Sequence, residues 1–240
     1  AIDASAFIMD NASSATGTLH FWEHYPSNNT HILAGYQGGY ATRNLVGGIP
    51  PIAPALISGL GSSTRIPGRF IPVGQAFFVK GSASGGNIEF KNSQRIFVKE
   101  DDLNSNVMFR NETITNPNDS YQEDQYEKIR LGFTTATNLH RQVLLGFMND
   151  KATNGLDYGY DSILFDEQQN DMYFTNSNSK LTIQGEGYFN SNNIYPITVK
   201  TSITGNVKFM LDGSENFDST QPIYIHNSTT DSYQDLRNGS

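Results

Sequence analysis

The sequence predicts an all-β chain, built as one or two β-sandwich units (jelly-roll or Ig-like) with long loops and little helix. Three observations carry this. Aromatic residues are plentiful, 15 Phe and 12 Tyr in 240 residues, and these side chains suit a pleated, half-buried surface. Charged residues make up only 17%, below the usual share of about 25%. The polar remainder is mostly Asn, Ser, Thr and Gly, which favour turns and strands and are poor in helix interiors.

Along the chain, Asp3 is placed to cap a short helix over 4–9, because its carboxylate can accept from the free amides of a first turn. Residues 18–24 read as a strand, with Leu19 and Phe21 on one face and His20, Trp22 and His24 on the other. Residues 30–36 read as a second strand. Gly35, Gly38 and Gly39 then punctuate the passage to 40–43. The Gly/Pro/Ser-rich stretch 47–68 reads as a long loop, and loops of that length are usually functional or disordered. A hairpin follows, with strand 75–80, turn 81–87 and return strand 88–91, and then 95–98.

Residues 111–127 are polar and hold Pro117, so they read as a linker or exposed loop and a candidate boundary. Beyond it, strands recur at 128–133, 141–148, 171–175, 180–184, 194–200, 206–211 and 222–227, a spacing that suggests a sandwich. The expected organisation is one unit at 1–110 and a second at 128–240. The alternative is one continuous jelly-roll-like domain.

Composition narrows the function classes. The net charge of −8 repels phosphate backbones and anionic membrane surfaces, so neither nucleic acid nor membrane insertion is expected. With no cysteine, thiol catalysis, zinc–thiolate sites and disulfides are excluded. The least polar run, 47–60, is too short for a bilayer and holds Pro50, Pro51 and Pro54. No signal peptide opens the chain, so export requires a signal upstream of Ala1, and the chain is expected to be a mature product or a fragment.

Blocks of the sequence resemble a known group. Residues 21–24 (Phe-Trp-Glu-His), 31–36 (His-Ile-Leu-Ala-Gly-Tyr), 71–79 (Ile-Pro-Val-Gly-Gln-Ala-Phe-Phe-Val) and 92–95 (Asn-Ser-Gln-Arg) carry the resemblance in the first half. In the second half 129–133 (Ile-Arg-Leu-Gly-Phe), 140–147 (His-Arg-Gln-Val-Leu-Leu-Gly-Phe), 152–161 (Ala-Thr-Asn-Gly-Leu-Asp-Tyr-Gly-Tyr-Asp) and 171–174 (Asp-Met-Tyr-Phe) continue it. In order, they resemble modules found near the C-terminal end of large secreted proteins of Bacteroidota. The resemblance implies export by the type IX secretion system, display on or release from the cell surface, and no catalytic residues. Such proteins end in a sorting domain. Nothing at 236–240 looks like one, which implies cleavage or truncation.

Four constellations can carry chemistry. An exposed Trp22, flanked by His20 and His24 and extended by Tyr25, Tyr36 and Tyr40, makes a platform on which a pyranose ring stacks while imidazoles bond its hydroxyls. The bland alternative is a strand packed between layers. Zinc is ruled out within this strand, since residues four apart stand about 13 Å apart along it. The acidic stretch 150–171 offers carboxylates and Asn amides for calcium, with Asp157 and Asp161 the favoured ligands, against the alternative of a solvated loop with Asx turns. Carboxylate pairs, Glu23 with Glu186 or Asp157 with Asp161, keep a glycoside hydrolase open. Ser162 and Ser219 sit in Asp-Ser-Ile and Asp-Ser-Thr and resemble sites of bacterial O-glycan attachment.

The functional expectation is a non-enzymatic extracellular or cell-surface module that binds carbohydrate or another surface protein. The alternative is a spacer, anchor or self-assembling subunit, since exposed strand edges can pair between copies.

Overall fold

The computed structural model describes residues 1–25, 28–97 and 124–238. They form a sandwich-like all-β fold with a single short α-helix among the described residues. The expected linker 111–127 lies outside them as far as residue 123.

The first half opens with β1 (Ile2–Asp3) and α1 (Ala4–Asp10). Asp3 caps the helix as its chemistry requires, accepting from the amides of Ser5 at 3.0 Å and Ala6 at 3.4 Å. Arg69 holds that carboxylate in place through bonds of 2.8 and 2.6 Å to its two oxygens. Four strands make the sheet beneath the helix: β2 (Ala15–His24), β3 (Gly38–Arg43), β4 (Gly48–Ile49) and, after β5 (Phe70–Ile71), β6 (Phe78–Gly81). Their order is β4-β3-β2-β6, while β5 pairs with β1. Phe7 and Ile8 of α1 pack with Leu19 and Phe21 of β2, Ala41 of β3 and Ile71 of β5. The two-residue period therefore turns His20, Trp22 and His24 to the opposite, outer face.

Two predicted strands are absent. Residues 30–36 hold a 3-10 turn, Leu33–Gly35. The Asn28 side chain accepts from the Thr30 amide and donates to the Gly35 carbonyl, and Thr30 accepts from the Ile32 amide. Side chains that bond nearby backbone in this way compete with a ladder. Residues 88–91 are not a return strand either, because β6 pairs with β2. Asn11 takes both backbone groups of Glu89 instead, accepting its amide at 2.7 Å and donating to its carbonyl at 3.0 Å. The predicted loop 47–68 is mostly irregular, as expected, but it contains β4 and an Ile52–Ser62 bridge, and Ile49, Ile52 and Ala53 are buried.

The second half contributes β7 (Glu127–Thr134), β8 (His140–Phe147), β9 (Ser162–Ile163), β10 (Asp171–Asn176), β11 (Ser179–Glu186), β12 (Ile197–Lys200) and β13 (Lys208–Glu215). They form one seven-stranded sheet in the order β12-β10-β11-β8-β7-β13, with β9 on β11. A hairpin of β14 (Tyr224–Asn227) and β15 (Ser232–Asp235) follows. One face buries Leu131, Phe133, Val143, Leu145, Phe147 and Phe174. The β8–β11 pair is parallel, so the chain must cross over between them. The acidic stretch and β10 supply that crossover.

A third buried cluster draws on both halves: Val46 and Ile49 pack with Leu144, Met148 and Ile183. Val46 lies directly over Gly146, where an added Cβ would meet its Cγ1 at 2.3 Å. The Leu45 amide donates to the Gly159 carbonyl at 2.7 Å, and Arg130 donates to the Gly48 carbonyl.

Candidate functional site

The outer face of the four-stranded sheet carries a continuous run of rings. Cross-strand register sets it, pairing Trp22 with Tyr40, His20 with Thr42 and His20 with Phe78. Trp22 lies parallel to Tyr36, with centroids 6.0 Å apart, and its indole N–H donates to the Tyr36 hydroxyl at 3.2 Å. Gly38 makes this approach possible, because a Cβ there would stand 3.0 Å from both rings. His24 tilts against Tyr36 at 5.1 Å. Tyr40 meets Trp22, Phe78 and Phe165 edge-on at 4.8, 5.6 and 5.4 Å. Edge-on and offset contacts suit the ring quadrupole, so the rings hold one another in fixed orientations. Trp22, Tyr36 and Tyr40 are half-buried, His24 is exposed, and Phe78 and Phe165 are 58% and 49% exposed.

Two residues predicted for this platform lie elsewhere. His20 is 4% exposed, covered by Phe165 stacked on it at 4.2 Å, and it shares a hydrogen bond with Thr42 at 3.1 Å. Burial, with the Lys80 charge beside it, pushes its pKa down to about 4, so the ring is neutral at pH 7. His20 is thus the floor of the face. Tyr25 follows the end of β2 and is 3% exposed, with its hydroxyl unpartnered among the described residues. Burial, with the Glu23 and Asp166 charges, raises its pKa. It belongs to the interior.

Phe78 and Phe165 were not singled out from sequence. Phe78 has the signal of alternation, since Phe77 and Val79 pack on the helix-side core while Phe78 faces out. Phe165 has no local signal. A buried ion pair fixes the segment after it: Arg141 bonds both oxygens of Asp171 at 2.7 and 3.1 Å, and also the side chain and carbonyl of Asp166.

The acidic stretch uses its carboxylates on its own backbone. Asp157 accepts from the amide and hydroxyl of Thr153 at 2.6 and 2.8 Å. Asp161 accepts from the amides of Asp157 at 2.6 Å and Gly185 at 3.1 Å. Burial pushes the Asp161 pKa up to about 6 against those amides, and the Asp157 and Glu186 charges add to the rise. Among the described residues no group of three His, Asp or Glu side chains is gathered as a metal would require.

The predicted carboxylate pair of Glu23 and Glu186 is divided between the sheets. Glu23 accepts from Ser63 at 3.1 Å and lies 3.6 Å from Arg65, while Glu186 accepts from Gln184. Ser162 is fully buried and bonded to Thr18 and Asn44, each at 3.0 Å. The folded chain therefore does not present it to a glycan, and that assignment is corrected. Ser219 is exposed in a turn.

A polar cluster not foreseen from sequence lies on the face of the large sheet that carries Leu144, nearer its edge. His140 shares hydrogen bonds with Thr134 at 2.9 Å and Asp212 at 2.8 Å, and Gln142 donates to the same Asp212 oxygen at 2.8 Å.

One family, described as a domain of unknown function (DUF8693), matches residues 1–240. No curated protein and no solved structure matches the chain.

Proposed function

The chain belongs to the DUF8693 family, which states no activity, and from its geometry we propose that it is a non-catalytic binding module. It takes carbohydrate across the outer face of its four-stranded sheet. One observation carries the reading: five rings, Trp22, Tyr36, Tyr40, Phe78 and Phe165, are locked against one another, and two of them are about half exposed.

A ring held rigid by its neighbours loses little entropy when a ligand stacks on it. A pyranose presents apolar C–H faces that suit such rings and equatorial hydroxyls that suit polar tips. The hydroxyls of Tyr36 and Tyr40 and the imidazole of His24 supply those tips. Export to an extracellular or cell-surface setting is part of the proposal and rests on the resemblance of its sequence blocks to secreted modules.

A glycan array probed with wild-type and Trp22→Ala protein tests the reading. Binding to a defined sugar that drops at least about tenfold in the variant supports it. Unchanged binding in Trp22→Ala removes the face from consideration. Unfolding curves of both proteins control for loss of fold.

A further inference from the structure

The electrostatics of the same face narrow the ligand. The chain carries a net charge of −8, yet the outward positions of β2, β3 and β6 hold Thr, His, Trp, Gly, Tyr, Phe and Lys but no Asp or Glu. Glu23 of β2 points to the opposite face, where Ser63 and Arg65 meet it.

Among the described residues, the cation at an outward strand position of this face is Lys80. It lies two residues beyond Phe78 on β6, so it shares that side of the sheet, while Val79 between them packs into the helix-side core. It is exposed, and no carboxylate among the described residues pairs with it. Two residues along a strand span about 7 Å, roughly the reach from the centre of a stacked sugar ring to its own carboxylate and on to an ammonium.

Building on the carbohydrate reading, we propose that the aromatic face selects acidic glycans, those built of uronic acid residues, by stacking a ring on Phe78 and Phe165 and pairing its carboxylate with Lys80. Strand positions without acids, in an acidic protein, lessen the repulsion such a polymer meets elsewhere on the molecule. Neutral sugars satisfy the rings but leave the ammonium unused. Stacking supplies the bulk of affinity, and the charge supplies discrimination.

Affinity electrophoresis and calorimetry with polygalacturonate and alginate, set against neutral galactan and mixed-linkage glucan, separate the two levels. The expected result is preference for the acidic polymers, weakening with added salt. Lys80→Glu lowers affinity for polygalacturonate roughly tenfold, while affinity for any neutral polymer stays within about twofold. Lys80→Gln, which removes charge without reversing it, gives a smaller loss of the same sign. Equal affinity for acidic and neutral polymers, or indifference to both Lys80 variants, overturns the acidic specificity and leaves the aromatic face standing. Polymer binding that survives Trp22→Ala and Phe78→Ser overturns both.

Discussion

The outer aromatic face and the acidic crossover 150–171 both invite a binding role from sequence, and the structure treats them in opposite ways. On the aromatic face, rings hold one another and still leave surface to solvent, and the indole N–H is taken by another ring's hydroxyl rather than by backbone. In the crossover, Asp157 and Asp161 are claimed by Thr153, by Gly185 and by the Asp157 amide itself. A carboxylate in a tight loop always has amides within reach, and closing the loop consumes it. A ring can be positioned without being consumed.

The sharpest way to break the contrast is to cut the support of the face. Arg141 and Asp171 are fully buried and anchor the segment that carries Phe165. Arg141→Ala leaves Asp171 charged and unpaired, and about 3–5 kcal/mol of stability is lost, read as a lower urea midpoint. No loss would mean that Phe165 is positioned some other way.

Titration separates the two regions by sign. His20 has a folded pKa near 4 against a reference of 6.5. The unfolded chain therefore binds its proton first, and stability falls as pH drops from about 6.5 toward 4. Asp161 has a folded pKa near 6 against 3.8. The folded chain holds that proton, and stability falls as pH rises from about 4 toward 6. Each contribution is worth roughly 2–3 kcal/mol over its window. Difference curves for His20→Gln and Asp161→Asn, from thermal unfolding across pH 4–7, should slope in opposite directions. Slopes of the same sign would contradict these assignments. Thr42→Val, which removes the hydrogen-bond partner of His20, costs less, about 1 kcal/mol.

The smallest expected effect belongs to the crossover. Millimolar calcium or chelator is expected to leave the melting temperature within about a degree, because the Asp157 and Asp161 oxygens already accept backbone and hydroxyl donors. A rise of several degrees on adding calcium, abolished in Asp157→Asn, would restore the metal reading.

Much of the fold was legible because it rests on local rules. Alternation placed β2, the recurrence of strand-like runs at short intervals placed β7, β8, β10 and β11, and the Asp3 cap placed α1. The failures share a cause. At 30–36 and 88–91 the apolar pattern was present, but side chains of Asn28, Thr30 and Asn11 took the backbone groups a ladder needs. Within the site, His20, Trp22, His24 and Tyr40 were rightly placed on one side of the sheet, because register and period decide that. The burial of His20 and the inclusion of Phe165 were not legible. Both depend on a segment more than 140 residues away, brought over the sheet by β9 and the Arg141 ion pair. Tyr25 was legible and was misread: the two-residue period puts it on the inner side with Leu19, Phe21 and Glu23, where it is buried.

Trp22 is the single tryptophan of the chain, so fluorescence excited at the red edge of the absorption band, where the 12 tyrosines do not absorb, reports on the aromatic face. The most direct measurement is a fluorescence titration of the wild-type protein with polygalacturonate, alginate and the neutral polymers, run beside calorimetry on the same samples. The expected result is a saturable change in emission whose midpoint matches the calorimetric affinity. Calorimetric binding of any of these polymers with no change in tryptophan emission would contradict it, because the ligand would then be held away from Trp22.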